Sequence, residues 1–151
     1  MAESGTERSS AEGCIFCRAG KNPSDDEKNF VLHRAAHNLV ILNLYPYISG
    51  HLMIAPYEHL GEFDTAPKES TDEMMDLAKR SQTALREVYQ ADGFNIGMNL
   101  GRAAGAGIAG HIHMHVMPRW VGDTNFMSTI AETRVLAEDL PTTYRKLLAK
   151  F

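Results

Sequence analysis

No stretch of this chain is apolar for long enough to cross a bilayer, and Met1–Glu12 is small and polar with no hydrophobic signal core. Membrane-spanning and secreted classes are set aside, and the cytoplasm is the expected location. Residues 1–12 are expected to form a disordered tail ahead of a single domain over 13–151. Cysteine is scarce: Cys14 and Cys17 are too few and too close to build a disulfide framework. Basic charge is not in excess. The formal net charge of -4 argues against broad binding to nucleic acid or anionic membranes. It leaves room for a small phosphorylated ligand held by backbone amides and a few imidazoles. Between Asp92 and Asp123 there is no acidic residue at all. What is present, 44% hydrophobic and 23% charged residues over 151 positions, suits a globular domain with a real core.

Phe30-Val31-Leu32 and, more strongly, Leu39–Leu44 read as strands. His51–Ala55 reads as a third, stopped by Pro56 and antiparallel to the second across the turn-rich Tyr45–Gly50. A helix is predicted with Ser70 as N-cap and Glu73 completing a capping box. It buries Met74, Leu77, Ala78, Ser81, Leu85 and Val88 and ends at Asp92-Gly93. Phe94, Ile96, Met98 and Leu100 alternate with Asn95, Gly97 and Asn99, the pattern of a half-buried strand. Gly101–Gly110 is a glycine- and alanine-rich loop. A second helix is predicted from Pro141 to about Lys150, with Tyr144, Leu147 and Leu148 on its inner face. Strands in succession with helices set between groups read as an α+β fold: an antiparallel sheet with two main helices.

The densest signal follows the glycine loop: His111, His113 and His115 stand at every second position. On a strand the three imidazoles share one face, and Ile112, Met114 and Val116 share the other. Three readings are open. The histidines are incidental, they share a catalytic metal, or one of them is a nucleophile toward phosphorus. The lack of carboxylates nearby weighs against the second. A glycine loop offering amide donors to phosphate, and imidazole's lone pair at neutral pH, favour the third.

His111-Ile-His113-Met-His115-Val-Met carries the signature of the histidine triad (HIT) family, which this chain resembles from about Cys14 to Phe126. Cys14-Ile-Phe-Cys17, Asn43, Gly50-His51-Leu-Met-Ile-Ala-Pro56 and Pro56-Tyr-Glu-His59 resemble family landmarks in order. Leu42–Tyr47, Gly93–Gly101, Pro118-Arg-Trp120 and Gly122–Phe126 resemble bacterial diadenosine tetraphosphate phosphorylases in particular. The resemblance implies the histidine triad fold and a nucleotidyl hydrolase or transferase that attacks the α-phosphate of dinucleoside polyphosphates. By the same resemblance His113 is the nucleophile, His115 contacts the phosphate and helps the leaving group depart, and His111 supports His113 or binds metal. Asn43 matches a ribose-binding position, and Asn99 and the loop around Gly107 match phosphate and leaving-group contacts. His51 has a hydrogen-bonding role near the triad or a plain structural one.

From the residues alone, Asn43 interrupts an apolar strand, either as a buried amide in need of partners or as a turn former. Phe16, Ile41 and Leu44 suit a purine wall or core packing. Trp120 suits a base, a dimer interface or burial. Cys14-x-x-Cys17 is a zinc half-site or a pair of small buried residues. The resemblance extends it: His59 and His111 match the histidines that complete a structural zinc site in some triad proteins and in the related galactose-1-phosphate uridylyltransferases. One departure stands out. The phosphorylases carry Gly-Gly-Ser where this chain has Gly105-Ala106-Gly107, so a hydroxyl for incoming inorganic phosphate is missing and water becomes a rival acceptor. A homodimer is the family expectation, with no nucleic acid, membrane or organic cofactor. A nucleoside phosphoramidase, a zinc-stabilised nucleotide-binding module with little turnover and a catalytic metal hydrolase are the alternatives.

Overall fold

The computed structural model describes residues 10–123 and 138–151. Most of the expected tail, and Thr124–Phe126 of the phosphorylase-like stretch, lie outside the described residues. A short helix α1 (Ile15–Lys21) leads through a 3-10 turn into a single-turn α2 (Asp26–Asn29). Strands β1 (Val31–Arg34), β2 (Asn38–Leu42) and β3 (Leu52–Pro56) follow, then the long α3 (Lys68–Tyr89), β4 (Gly93–Gly97), β5 (Met114–Arg119) and α4 (Leu140–Leu148). The strands form one antiparallel sheet in the order β1-β2-β3-β5-β4. This is the expected α+β architecture with two main helices.

The sheet's two faces have different cover, because neighbouring side chains along a strand point opposite ways. Val40 and Leu42 of β2, Leu52 and Ile54 of β3, and Met114 and Val116 of β5 pack with Met74, Leu77, Leu85 and Leu147 under α3 and α4. The intervening Leu39, Ile41, Met53 and Ala55 pack against Phe16, Cys17 and Ala19 of α1 and against Cys14. Strands β2 and β3 are therefore buried on both faces, which explains their unbroken apolar runs. Arg34 holds α1 in place: its guanidinium donates to the carbonyls of Ala19 (2.5 Å) and Gly20 (3.0 Å) and pairs with Asp26 (2.6 Å). Cover by α1 stops short of β5 and β4. Cross-strand pairing puts Gly97 beside His115 and Asn95 beside Met117 on that stretch, which no described helix covers on this face.

Several boundaries differ from the sequence reading. Strand β2 stops at Leu42, so Leu44 is exposed in the following loop. Strand β4 stops at Gly97, leaving Met98 and Leu100 beyond it. The inner face of α3 is as expected, but its start is not: the helix begins at Lys68 after Pro67. Ser70 is buried within the first turns, its hydroxyl 3.4 Å from Asn38 Oδ1. Glu73 does not reach back to cap its own helix. It accepts from the backbone N–H groups of Ala36 (2.9 Å) and His37 (2.8 Å) and from Asn38 Nδ2 (2.8 Å), tying α3 to the β1–β2 turn. The spacing of a capping box was present, but three donors on a neighbouring turn outcompeted one on the helix. On α4, Tyr144 and Leu147 face inward while Leu148 is exposed. Asp139 caps that helix, accepting from Thr142 N at 2.8 Å.

Burial opposes ionisation of Glu73, but hydrogen bonds from Asn38, His37 and Ala36 outweigh it and hold the carboxyl below its usual value. A depressed folded pKa gives stability that is complete above the unfolded value, about 4.3, and is lost as pH falls through the folded one. Glu73→Gln is expected to destabilise by about 1 kcal/mol at pH 7, a figure kept low because the group is partly solvated. Urea melts of both proteins should differ at pH 7 and converge as pH falls through the depressed folded pKa of Glu73. A gap that persists in acid would mean the charge plays no part.

Candidate active site

The segment after β3 brings two ends of the chain together. Ile112 donates its N–H to the Leu60 carbonyl at 2.8 Å, and Gly61 lies so close that a Cβ there would sit 3.1 Å from the Ala109 carbonyl oxygen. This contact sets His59 beside His111, with Cys17 on α1 and Cys14 just before it brought alongside. The ligand atoms of Cys14, Cys17, His59 and His111 all lie within 4.8 Å of one another. Nδ1 of His111 is 3.3 Å from Cys14 Sγ, 3.6 Å from Cys17 Sγ and 3.2 Å from His59 Nδ1, and Cys17 Sγ is 3.3 Å from His59 Nδ1. A tetrahedral ion with bonds of about 2.3 Å to sulfur and about 2.0–2.1 Å to nitrogen separates its ligand atoms by roughly 3.3–3.8 Å. The donor set and its spacing fit such an ion.

Two further features agree. His111 Nε2 lies 2.8 Å from the Pro56 carbonyl. A carbonyl only accepts, so that nitrogen carries the proton and Nδ1 turns its lone pair on the sulfurs. Burial, reinforced by the adjacent Cys14, pushes the Cys17 thiol up to about 11. Two thiols in one dry volume resist ionising together, and a shared cation removes that obstacle.

The histidine row begins before the strand: His111 and His113 precede the ladder, which opens at Met114. His113 is only 5% exposed, and its ring lies 5.0 Å from Phe16 and 4.9 Å from His115 between centroids. Its Nδ1 is 2.9 Å from the carbonyl of His111. By the same logic Nδ1 is the protonated nitrogen and Nε2 bears the free lone pair. Burial lowers the pKa of His113, so the ring stays neutral at pH 7.

His115 is set by a longer chain of contacts. Tyr47 donates its backbone N–H to His51 Nδ1 at 3.2 Å. In neutral His51 the proton then sits on Nε2, which is 2.7 Å from His115 Nδ1. His115 Nδ1 therefore accepts, and its own proton is on Nε2. Burial, with the neighbouring His113, drives His115 down to about 4, again favouring the neutral ring. Backbone groups at two distant points thus place an imidazole lone pair next to an imidazole N–H donor. That pair can attack an electrophilic phosphorus and hydrogen-bond the oxygen that leaves.

The structure brings together most of the residues singled out from the sequence. His51 is fully buried against His115. Asn43 follows β2, accepts from Tyr45 N at 2.9 Å and brings Nδ2 within 3.4 Å of His51 Nδ1, so it both forms the turn and faces the row. Phe16 is completely buried beneath His111 and His113. Leu44 is exposed nearby, whereas Asn99 and Gly107 sit farther along, beyond β4 and in the exposed part of the glycine loop. A side chain at Gly107 would meet no atom within 4 Å. Trp120 is partly buried and donates Nε1–H to the Tyr89 carbonyl at 3.1 Å. Sequence reading missed the Tyr47 amide and the Pro56 carbonyl, since backbone groups carry no residue-type signal.

Residues 25–121 match the HIT domain. The chain belongs to the HIT family. This HIT protein is 40% identical over 124 residues to the AP-4-A phosphorylase of Mycobacterium tuberculosis, covering 82% of this chain and 63% of that one. It spans, in other words, under two thirds of those relatives' length. An uncharacterized HIT-like protein of Methanocaldococcus jannaschii is 32% identical over 112 residues, covering 73% of this chain and 81% of its own. A solved Zn-bound histidine triad family protein from Mycobacterium smegmatis superposes with a TM-score of 0.74 at 30% identity, covering 93% of this chain and 94% of that one.

Metal-stripped protein titrated with Co²⁺ is expected to take up one equivalent. The absorption should be that of a tetrahedral, sulfur-bound ion, with a rise in melting temperature. Cys17→Ala should lose the charge-transfer band. A weak octahedral spectrum from the parent chain would remove the cluster from consideration.

Proposed function

We propose that this HIT protein is a nucleotidyl hydrolase or transferase that attacks the α-phosphate of dinucleoside polyphosphates through a covalent intermediate on His113. The observation that carries the reading is the pairing of a His113 Nε2 lone pair with a His115 Nε2–H donor. Membership of a family generally made up of nucleotide hydrolases and transferases supports it, as does the likeness to AP-4-A phosphorylase.

In the first half-reaction His113 Nε2 forms a bond to the α-phosphorus, and the bond from that phosphorus to the bridging oxygen breaks. His115 Nε2–H donates a hydrogen bond to the bridging oxygen as that bond breaks, and the nucleotide departs as its phosphate anion. In the second, water or inorganic phosphate attacks the phosphorus and gives up its proton to solvent, the phosphorus–nitrogen bond breaks, and its electron pair returns to His113 Nε2. Asn43 is read as holding the ribose, Leu44 as an apolar wall and Phe16 as the floor that keeps His113 in place. His51 fixes the tautomer of His115, and Asn99 with the loop at Gly107 contacts the phosphates. The metal is read as zinc held by Cys14, Cys17, His59 and His111. It supplies a structural cross-link between α1 and the histidine row and takes no chemical step. The sheet ends on β4, where Asn95, Ile96 and Gly97 are exposed. An open strand edge of this kind suits antiparallel pairing with a second copy, and sedimentation velocity reads it directly.

Diadenosine tetraphosphate should yield ATP and, transiently, an AMP adduct that mass analysis of quenched protein locates on His113. His113→Ala should retain nucleotide affinity and lose at least a thousand-fold in turnover, on the order expected for a nucleophile. Turnover that survives the substitution would end this reading. Binding in the parent without turnover would favour the nucleotide-binding module.

The acceptor is a separate question that the loop itself addresses. Neither crowding nor a positive φ demands glycine at position 107. Gly107→Ser should therefore fold normally. It is expected to shift products from AMP plus ATP toward ADP plus ATP when inorganic phosphate is present, by adding the hydroxyl that the phosphorylases carry. An unchanged product ratio would show that this loop does not select the acceptor.

A further inference from the structure

The histidine row has two unlike ends. At the His111 end everything is closed: Cys14, Cys17, Phe16 and His111 are all buried. At the His115 end an aromatic ring stands at the surface. The Tyr47 ring is centred 5.0 Å from His51 and 6.4 Å from His115 and is tilted 30° and 38° to them, and the residue as a whole is 48% exposed. Its backbone amide anchors the loop through the 3.2 Å bond to His51, so the ring is carried by the same contact that sets the His115 tautomer. On the other flank, Gly97 pairs in register with His115. A Cβ built at Gly97 would meet nothing within 4 Å. A group departing past His115 Nε2 thus meets an exposed aromatic face on one side and unobstructed backbone on the other.

We propose that Tyr47 and the open surface over Gly97 form the subsite for the second nucleoside, the half of the dinucleotide that leaves first, with the Tyr47 ring as the platform on which its base stacks. The proposal rests on the dinucleotide reading above and adds a specificity-determining residue to it. Stacking of a base on an aromatic ring tolerates any base, because every base has a π face. The subsite would therefore select dinucleotides over mononucleotides without selecting among bases.

The test uses the His113→Ala protein, so that ligands are bound but not consumed, and compares calorimetric affinities for diadenosine tetraphosphate and AMP. Tyr47→Leu keeps an apolar cover over His51 but removes the π face, and Tyr47→Phe keeps it. Tyr47→Leu is expected to weaken the dinucleotide about five- to twenty-fold, the lower part of the range for base–aromatic stacking, with AMP unchanged. Tyr47→Phe should bind both ligands as the parent does. Equal losses for the two ligands would overturn the proposal by placing the ring at the shared nucleotide or in the support of the fold. No loss for either would overturn it as well. If the parent binds neither ligand, the dinucleotide reading itself fails and this subsite goes with it. If AMP binds well and the dinucleotide no better, only the subsite is lost.

Discussion

A hydrogen bond of 2.9 Å from the His113 ring to the carbonyl of His111 governs the chemistry this site can perform. Without it, neutral His113 would distribute its proton between two nitrogens, and the lone pair would have no fixed direction. The acceptor belongs to a residue that is itself immobilised. His111 has its Nε2–H on Pro56 and its Nδ1 among two thiols and His59. One residue therefore serves two places, its side chain the cluster that could hold a metal and its carbonyl the ring of His113. Any shift of the chain at position 111 would be felt at both.

The sheet supplies the second constraint. Its helix-bearing face is a conventional core, whereas the opposite face is covered by α1 only over β1 to β3. The boundary of that cover falls at the histidines. Phe16 lies against His113 on the buried side of it, while His115 faces Gly97 across the open stretch. His113 is thus placed under cover, and His115 beside it lies at the edge of that cover. Both rings are depressed in pKa, His115 to about 4. The cause is burial first, so the cover that positions the rings also keeps them uncharged.

Much of this was legible in the sequence because it depends on side-chain type and period. The alternation of histidines with Ile112, Met114 and Val116, the two-faced burial of Leu39–Leu42 and the inner stripe of α3 all follow from periods of 2 and 3.6. The HIT resemblance grouped Cys14, Cys17, His59 and His111, the four residues that the fold brings together in a cluster able to hold a metal. What escaped the sequence depends on competition or on the backbone. Glu73 had the spacing of a capping box, yet the amides of Ala36 and His37 and the Asn38 amide group offered it more hydrogen bonds. The strand expected from His111 starts three residues later, since a residue joins a ladder only where a partner strand reaches it, and β3 and β4 reach no farther than Met114 and His115. The relay from Tyr47 through His51 to His115 runs from a main-chain N–H, which every residue but proline carries.

Glycines give the clearest contrast between structural and functional causes. Gly50 has a φ of 82° and a missing side chain that would crowd Leu85, Pro118 and Tyr89 within 3.0–3.2 Å, so conformation and packing both require it. Gly97 and Gly107 lack both reasons. Neither has a positive φ, and neither has a neighbouring atom within 4 Å of where a Cβ would stand. Within β4 a glycine forgoes packing and adds backbone entropy to the unfolded chain, a small loss of stability. A residue that weakens its strand and fills no tight space leaves its explanation outside the fold of the single chain. The open face at Gly97 lies next to His115, and under the proposed second-nucleoside subsite the same absence of side chain keeps the path of the departing group clear.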